Sequence, residues 1–213
     1  MPDPSVPDAA RRRLLRALLA APALATAVPL LGLVGCRPAA PGHAATLAPT
    51  PTCDDGDDPE PTPRQTAGPF YTPDSPQRAS LLEPGLSGTV LVLAGRVLDT
   101  TCAPVPGALL DFWHADDDGA YDNDGDRCRG HQFADAEGRY RLETIVPGRY
   151  PGRTPHVHVR VQAPDGDILT TQLYFPGEPL NARDGLYRPE CQMTLAESDD
   201  GPAAAFDFVL ALG

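Results

Sequence analysis

Two histidines and a tyrosine close together in the sequence could bind a metal ion. Tyr150, His156 and His158 all lie within the segment YPGRTPHVHVRVQ. Residues two apart in a β-strand share a face, so both imidazoles are expected to point the same way, with the alternating valines on the other face. A His-x-His pair is by itself a weak signal. The metal-site prediction therefore needs further ligands from elsewhere in the chain.

A second tyrosine, Tyr121, is a candidate for one of those ligands. It follows an apolar stretch and the turn residue Gly119, so it is expected to project from a loop at the end of a sheet. A phenol has a pKa near ~10 and binds at neutral pH only where the metal stabilises the phenolate. Anionic oxygen ligands in turn favour ferric over ferrous iron. Two histidines with two tyrosines therefore indicate Fe(III), whereas two histidines with one carboxylate would indicate Fe(II).

The acidic stretch Asp116–Asp126 offers a different metal hypothesis. If Asp122 began an EF-hand loop, its sixth position would be Arg127 instead of glycine, and its twelfth would be Phe133 instead of glutamate. The EF-hand version therefore fails. A calcium site of irregular geometry, on a non-catalytic exported binding module, remains an alternative. A solvated loop is the plainer interpretation of the same residues.

The remaining histidines have less specific surroundings. His43 lies in a low-complexity segment, and His114 and His131 flank the acidic stretch. Each of the latter two is expected to be a surface or hydrogen-bonded histidine.

Short strands separated by turns must position these residues. The chain of 213 residues contains 26 prolines and 20 glycines, which disfavours long helices. The predicted strands are 89–97, 108–114, 130–133, 139–145, 156–162 and 168–175, followed by a C-terminal stretch in which apolar residues alternate from 206 to 212. This pattern predicts an all-β fold, an antiparallel β-sandwich, over residues 66–213.

The overall charge excludes some partners. The formal net charge is -12, whereas nucleic acids and anionic membrane surfaces require basic patches on the protein. We therefore expect neither as a partner. The fraction of hydrophobic residues, 41%, is enough for a packed core.

The first 36 residues read as an export signal. Arg11–Arg16 resembles the twin-arginine pattern, and the apolar run from Ala17 to Val34 is interrupted by prolines, which disfavours a membrane span. The run ends in Leu-Val-Gly-Cys36, which resembles a bacterial lipobox and predicts a lipid anchor on Cys36. An ordinary signal peptide cleaved nearby is the alternative. In either case we expect an exported protein, on the outer face of a bacterial membrane or released from it.

A tether and a set of cysteines follow the signal. Residues 37–65 are rich in Pro, Ala, Thr and Asp, and we expect them to be disordered. An exported protein with four further cysteines is expected to form two disulfides, with three possible pairings. These cysteines are Cys53, Cys102, Cys128 and Cys191.

With these residues assembled, the chain resembles the intradiol aromatic ring-cleavage dioxygenases, the family of catechol and protocatechuate dioxygenases. The resemblance covers about two thirds of the chain, from about Gln65 to the C-terminus, and the order of its motifs is specific. The matching stretches are GPFY at 68–71, VPGA at 105–108, DFWHA at 111–115, GAY at 119–121, DAEGRY at 135–140, TIVPGRYP at 144–151, HVH at 156–158 and TQLYFPG at 171–177.

The resemblance implies a site and a reaction. The ferric ligands of the family correspond to Tyr121, Tyr150, His156 and His158. It further implies that a catechol binds the iron through both oxygens and displaces Tyr150, which then acts as a base. O2 would cleave the ring between its two hydroxylated carbons to give a cis,cis-muconate-type diacid.

Two further residues are implied in catalysis. The active-site arginine of the family corresponds to Arg153, which would stabilise negative charge building up on the ring, and the pocket glutamine corresponds to Gln172. Arg153 could instead pair with a substrate carboxylate, and the sequence leaves both roles open. It also leaves open whether the substrate is catechol, protocatechuate or hydroxyquinol.

The segment around Arg153 departs from the family pattern. Only five residues separate Tyr150 from His156, and the order Arg-Pro-x-His is altered to Arg153-Thr-Pro-His156. A shortened loop and a more open pocket are expected there. The chain also lacks a counterpart of the helical N-terminal dimerisation region of catechol dioxygenases.

Overall fold

The protein folds as two packed β-sheets. The computed structural model describes residues 59–198 and 201–212, all within one compact unit. The strands are β1 (Val90–Asp99), β2 (Leu109–Trp113), β3 (Arg129–Phe133), β4 (Arg139–Ile145), β5 (His156–Gln162), β6 (Ile168–Tyr174), β7 (Thr194–Ser198), β8 (Gly201–Ala205) and β9 (Phe208–Leu210). Two short 3-10 turns, Asn181–Arg183 and Pro189–Cys191, complete the regular elements of the described part. The predicted all-β sandwich is confirmed.

The first sheet has the strand order β4-β1-β8-β7, and β9 also pairs with β1. The long strand β1 is antiparallel to β4 along most of its length. Its two halves pair in parallel with β8 and then β9. The sandwich is therefore antiparallel except where the C-terminal strands return beside β1.

The second sheet, which we call the site sheet, has the order β3-β2-β5-β6 and is antiparallel throughout. The β5 residues Val157, Val159 and Val161 are fully buried in the core between the two sheets. His156 and His158 alternate with these valines and so occupy the opposite face of the site sheet. Packing of the valines therefore fixes the direction of both imidazoles.

The predicted tether is wrong at its C-terminal end. Within residues 59–65, the backbone N–H of Thr62 donates to Val209, and that of Gln65 donates to Thr170. The Thr62 hydroxyl also accepts the N–H of Val209 at 2.8 Å. The composition alone suggested that the entropy lost on ordering would keep this segment disordered. The hydrogen bonds to strand edges offset that entropy loss. Residues 37–58 of the tether and the signal segment 1–36 lie outside the described residues.

The expectation of two disulfides is also wrong. Cys128 and Cys191 are buried free thiols. Each is buried as a small apolar side chain, and burial raises the pKa of Cys128 to about 12. Cys102 is disulfide-bonded, and Cys53 lies outside the described residues. In the same described part of the chain, no helix is long and apolar enough to cross a membrane.

Candidate metal centre

Strand β5 brings the two predicted histidine ligands together. The Nε2 atoms of His156 and His158 lie 3.1 Å apart, and both side chains are almost completely buried. His156 Nδ1 lies 2.6 Å from the carbonyl oxygen of Thr154, so Nδ1 carries the proton and Nε2 presents its lone pair. That tautomer is the one a metal-binding imidazole needs.

Tyr150 approaches the histidines from the segment before β5. Its hydroxyl lies 3.5 Å from His156 Nε2, and the two ring centroids are 5.7 Å apart. The five-residue connection between Tyr150 and β5 holds the phenol next to its histidine without a longer loop. The structure therefore brings three of the predicted ligands together.

Tyr121 completes the cluster from the loop after β2. Its ring centroid lies 5.7 Å from that of Tyr150 and 6.2 Å from that of His158. The ring of Phe70 stacks on Tyr121 at a centroid distance of 4.4 Å. The Tyr121 hydroxyl is buried and has no hydrogen-bond partner. A buried hydroxyl without a partner is costly, and a metal ion would relieve that cost.

Close packing of two loop backbones fixes the separation of the tyrosines. A Cβ atom on Gly148 would lie 2.2 Å from the carbonyl oxygen of Asp117, and one on Gly119 would lie 2.2 Å from that of Arg149. The N–H of Gly148 donates to the carbonyl oxygen of Asp116 at 2.7 Å. Gly119 also has a φ of +84°, which side chains rarely adopt. The two glycines thus let the loops carrying Tyr121 and Tyr150 touch.

The four side chains fit a ferric ion. Two ligands bound about 2.1 Å from one ion and at right angles to each other lie about 3.0 Å apart. The observed separation of 3.1 Å between the two Nε2 atoms agrees with that spacing. No group of three or more His, Cys, Asp or Glu side chains within residues 59–198 and 201–212 could hold a metal. The two phenols are therefore the candidate further donors beside this histidine pair, and phenolate oxygens suit a hard, highly charged ion.

Burial keeps both histidines neutral and thus able to bind a metal. Desolvation, reinforced by the nearby Arg153 guanidinium, lowers the pKa of His156 to about 4. Desolvation and the neighbouring His156 lower the pKa of His158 well below its usual value. Burial raises the pKa of Tyr121. Without a metal the site therefore holds neutral imidazoles and a neutral Tyr121 phenol at pH 7.

Arg153 and Gln172 lie beside the cluster. Arg153 Nη1 donates to the Tyr150 hydroxyl at 3.2 Å, and Nη2 donates to the side-chain oxygen of Gln172. Gln172 pairs directly with His158 across β5 and β6, so the strand register places it there. Its side-chain amide donates to the carbonyl oxygen of Thr66 at 2.9 Å, which orients its oxygen towards Arg153. The altered Arg-Thr-Pro-His order therefore still delivers the guanidinium to the tyrosine.

Several residues of the site were not predicted as such. Trp113 pairs with His158 in register, and the two rings stack nearly parallel at 4.9 Å. Asp184 accepts a hydrogen bond from Arg153 Nε at 2.8 Å. Trp113 lies within the DFWHA motif at 111–115. Its direct pairing with His158 places both side chains on the same face of the sheet, so strand pairing could have identified it. Asp184 lies in a loop with no local signal.

The other histidines have structural partners. His114 is buried, with Nδ1 2.7 Å from the carbonyl oxygen of Ala115 and Nε2 2.6 Å from the Thr144 hydroxyl. His131 Nδ1 lies 2.7 Å from the carbonyl oxygen of Ser75. Both therefore agree with the hydrogen-bonded role expected for them.

The acidic stretch is already engaged with its own backbone. One Asp116 side-chain oxygen accepts the N–H groups of Asp118 and Ala120. The Asp122 carboxylate accepts the N–H groups of Asp124, Gly125 and Arg127. These side chains stabilise the connection between β2 and β3 through hydrogen bonds with its own backbone. The contacts give the calcium hypothesis no support.

The chain is similar in sequence to known dioxygenases. A family model described as Dioxygenase matches residues 67–211, more than half of the chain. The chain is 34% identical over 152 residues to the protocatechuate 3,4-dioxygenase beta chain of Burkholderia cepacia, covering 59% of this chain and 65% of that protein. It is 33% identical over 144 residues to the hydroxyquinol 1,2-dioxygenase of Nocardioides simplex, covering 56% and 49%. The chain thus spans less than two thirds of the length of these relatives.

Solved structures show the same fold. The dioxygenase domain of a dioxygenase carbohydrate-binding protein fusion from Streptomyces sp. SirexAA-E is 51% identical, with a TM-score of 0.70, covering 72% of this chain and all of that chain. The 3-chlorocatechol 1,2-dioxygenase of Rhodococcus opacus 1CP is 28% identical, with a TM-score of 0.66, covering 71% and 73%. Together with the family match, these similarities show that the chain belongs to the intradiol ring-cleavage dioxygenase family.

Proposed function

We propose that the protein is a non-haem Fe(III)-dependent intradiol dioxygenase. Its substrate would be a catechol-type ring, opened by O2 between the two hydroxylated carbons to a cis,cis-muconate-type diacid. The observation that carries the proposal is the convergence of His156 Nε2, His158 Nε2 and the Tyr150 hydroxyl beside the unpartnered, buried Tyr121 hydroxyl. Two neutral nitrogens and two phenols form the donor set that favours ferric iron.

Tyr121, Tyr150, His156 and His158 would hold the iron. When bound, ferric iron would supply the Lewis acid that orients the catechol oxygens and activates the ring towards O2. The remaining chemistry belongs to residues of this chain. His158 is held by its stacking on Trp113, and His156 by its Nδ1 contact with Thr154.

Tyr150 is the residue placed to move a proton. Its hydroxyl is the one phenol oxygen of the cluster that also receives a hydrogen bond from Arg153. A phenolate at this position can accept a proton from a catechol hydroxyl, with the Arg153 guanidinium against the same oxygen. Arg153 can also stabilise negative charge on the opening ring. Gln172 keeps the guanidinium directed towards the site.

Oxygen uptake with the purified, iron-loaded protein tests this proposal. We expect one O2 consumed per catechol and both oxygen atoms incorporated into a ring-opened diacid. Arg153→Met should lower kcat by about two orders of magnitude while the iron stays bound, because the stabilising charge is lost. An aldehyde-containing product, from cleavage beside the two hydroxyl groups, or no oxygen uptake at all with an intact iron site, would contradict the proposal.

We further propose that the protein is exported and anchored through a lipid on Cys36. The twin-arginine pattern and the Leu-Val-Gly-Cys36 sequence support this. Cell fractionation tests it: wild-type protein should be recovered with membranes, and Cys36→Ser should be released into the soluble exported fraction. A wild-type protein that never enters the membrane fraction would refute the anchor.

A further inference from the structure

The guanidinium of Arg153 has an acceptor for each of its three nitrogens. Nη1 donates to Tyr150, Nη2 to Gln172, and Nε to the carboxylate of Asp184 at 2.8 Å. The Asp184 side chain is only 2% exposed, and that of Arg153 is 15% exposed. The ion pair is therefore largely shielded from water, and the attraction between two charges is stronger in such an environment than in water.

Asp184 is itself held rigidly. Its Oδ2 atom also accepts the N–H of Thr154 at 3.0 Å, and its Oδ1 atom accepts the N–H of Leu186 at 2.9 Å. Burial alone would raise the pKa of Asp184, but hydrogen bonds from Leu186, Arg153 and Thr154 lower it below the ordinary value. The carboxylate is therefore ionised at neutral pH, and these hydrogen bonds hold it against the arginine.

The loop that carries Asp184 is fastened to the segment before β5. The Thr154 hydroxyl donates to the side-chain oxygen of Asn181 at 2.6 Å, and the Asn181 amide donates to the carbonyl oxygen of Phe175 at 2.9 Å. Asp184 thus forms part of a fixed connection between the end of β6 and the approach to β5. A residue held this way can set the position of the guanidinium relative to Tyr150.

We propose that Asp184 is a positioning residue that aims Arg153 at Tyr150 and neutralises its charge, so that the site takes uncharged catechols in preference to ring-carboxylated ones. The inference rests on the proposed dioxygenase function and deepens it. A substrate carboxylate entering the site would need a free cation to offset its desolvation. Arg153 is already paired with Asp184, which would also repel the incoming carboxylate.

The same segment provides a second arginine that is paired in a similar way. Arg149 forms an ion pair with Glu178, at a more exposed position. Arg149 and Arg153, which lie on either side of Tyr150 in the sequence, therefore each form an ion pair with an acidic residue from the loop after β6. Glu178 lies in the same loop as Asp184 but pairs with Arg149 instead of Arg153, so Glu178→Gln is a matched control for loss of a carboxylate from this loop.

Steady-state kinetics with catechol and protocatechuate test the proposal. In the wild type, kcat/KM for catechol should exceed that for protocatechuate by at least about tenfold. Asp184→Asn removes the negative charge with little change in shape, so the preference should narrow by about tenfold, while Glu178→Gln should keep the wild-type preference. That factor corresponds to about 1.4 kcal/mol.

A role of Asp184 only in shaping its turn would have a different signature. Asp184→Asn would then lower kcat/KM for both substrates by the same factor, and that result would overturn the proposal. A wild type that prefers protocatechuate would overturn it as well. A wild type that binds iron but cleaves neither substrate would instead refute the dioxygenase function.

Asp184→Glu provides a test that does not depend on the folding of Asp184→Asn. It keeps the charge but moves the carboxylate by one methylene, so the substrate preference should stay within about twofold of the wild type. Displacement of Arg153 should lower kcat for catechol at least about fivefold, with a smaller change in KM. An unchanged kcat in a folded Asp184→Glu protein would contradict the positioning role.

Discussion

At the scale of single residues, the candidate site depends on side chains that are buried and neutral. His156 and His158 keep a lone pair available because desolvation opposes their protonation. Their identity was predictable, since alternation with valine fixes the face of a strand. The Arg153–Asp184 pair was not predictable, because its two members come from separate loops whose contact depends on the packing of the whole domain.

Protonation of His114 should contribute to the acid destabilisation of the metal-free protein. Burial lowers its pKa in the folded state to about 4, below the ordinary value of 6.5. As pH falls below about 6.5, the unfolded chain gains a proton that the folded chain does not. Stability is therefore lost between pH 6.5 and 4. His114→Gln should remove this contribution, so the wild type should lose about 3 kcal/mol more than the variant between pH 7 and 4.

Denaturant unfolding at several pH values measures this difference. His156 and His158 are present in both proteins, and His114 ranks behind desolvation and Arg153 as a cause of their lowered pKa values. Comparing wild type with His114→Gln therefore reports mainly on His114. If the two free energies of unfolding decreased in parallel as the pH was lowered, protonation of His114 would not be linked to unfolding.

At the scale of elements, β5 and two loops assemble the cluster. The positions of β2 to β6 follow closely from alternation and turn residues, and the observed bounds lie near those predicted. The parallel pairing of β8 and β9 with β1 was not predictable, because it joins segments that are far apart in the sequence. The contact between the Tyr121 and Tyr150 loops was not predictable for the same reason, since the two loops are separated in the sequence. The glycines that allow the contact are present in the sequence, but their partners are not evident from it.

Gly148→Ala should separate these two loops. The added Cβ would lie 2.2 Å from the carbonyl oxygen of Asp117, which is backbone and cannot rotate aside. We expect a loss of about 2–4 kcal/mol in the free energy of unfolding and weaker iron binding, because Tyr150 moves relative to Tyr121. Thermal unfolding and iron titration measure these two effects.

Gly185→Ala is the matched control. Its Cβ would meet nothing within 4 Å, and the backbone at Gly185 does not require a positive φ. It should therefore unfold like the wild type. Equal melting temperatures for Gly148→Ala and the wild type would show that the loops do not need this close approach.

At the scale of the whole molecule, the sandwich serves as a rigid support with the site on the outer face of one sheet. The β5 valines face the core, and the segment around Gly68–Phe70 lies against His158 on the opposite face of the sheet. A Cβ on Gly68 would lie 3.5 Å from His158, so that segment contacts the imidazole closely. The prediction of disorder was wrong for residues 59–65 because these residues form hydrogen bonds with strand edges, and amino-acid composition contains no information about such pairing.

The central claim is that two tyrosines and two histidines of this domain bind ferric iron. Visible absorption of the iron-loaded protein tests it most directly, because ferric phenolates are red-brown. Tyr121→Phe and Tyr150→Phe should each shift or weaken the absorption band. Tyr187→Phe, whose hydroxyl contacts Gln192 at an exposed position, should leave the band unchanged. A folded wild type that stays colourless after iron loading would contradict the claim.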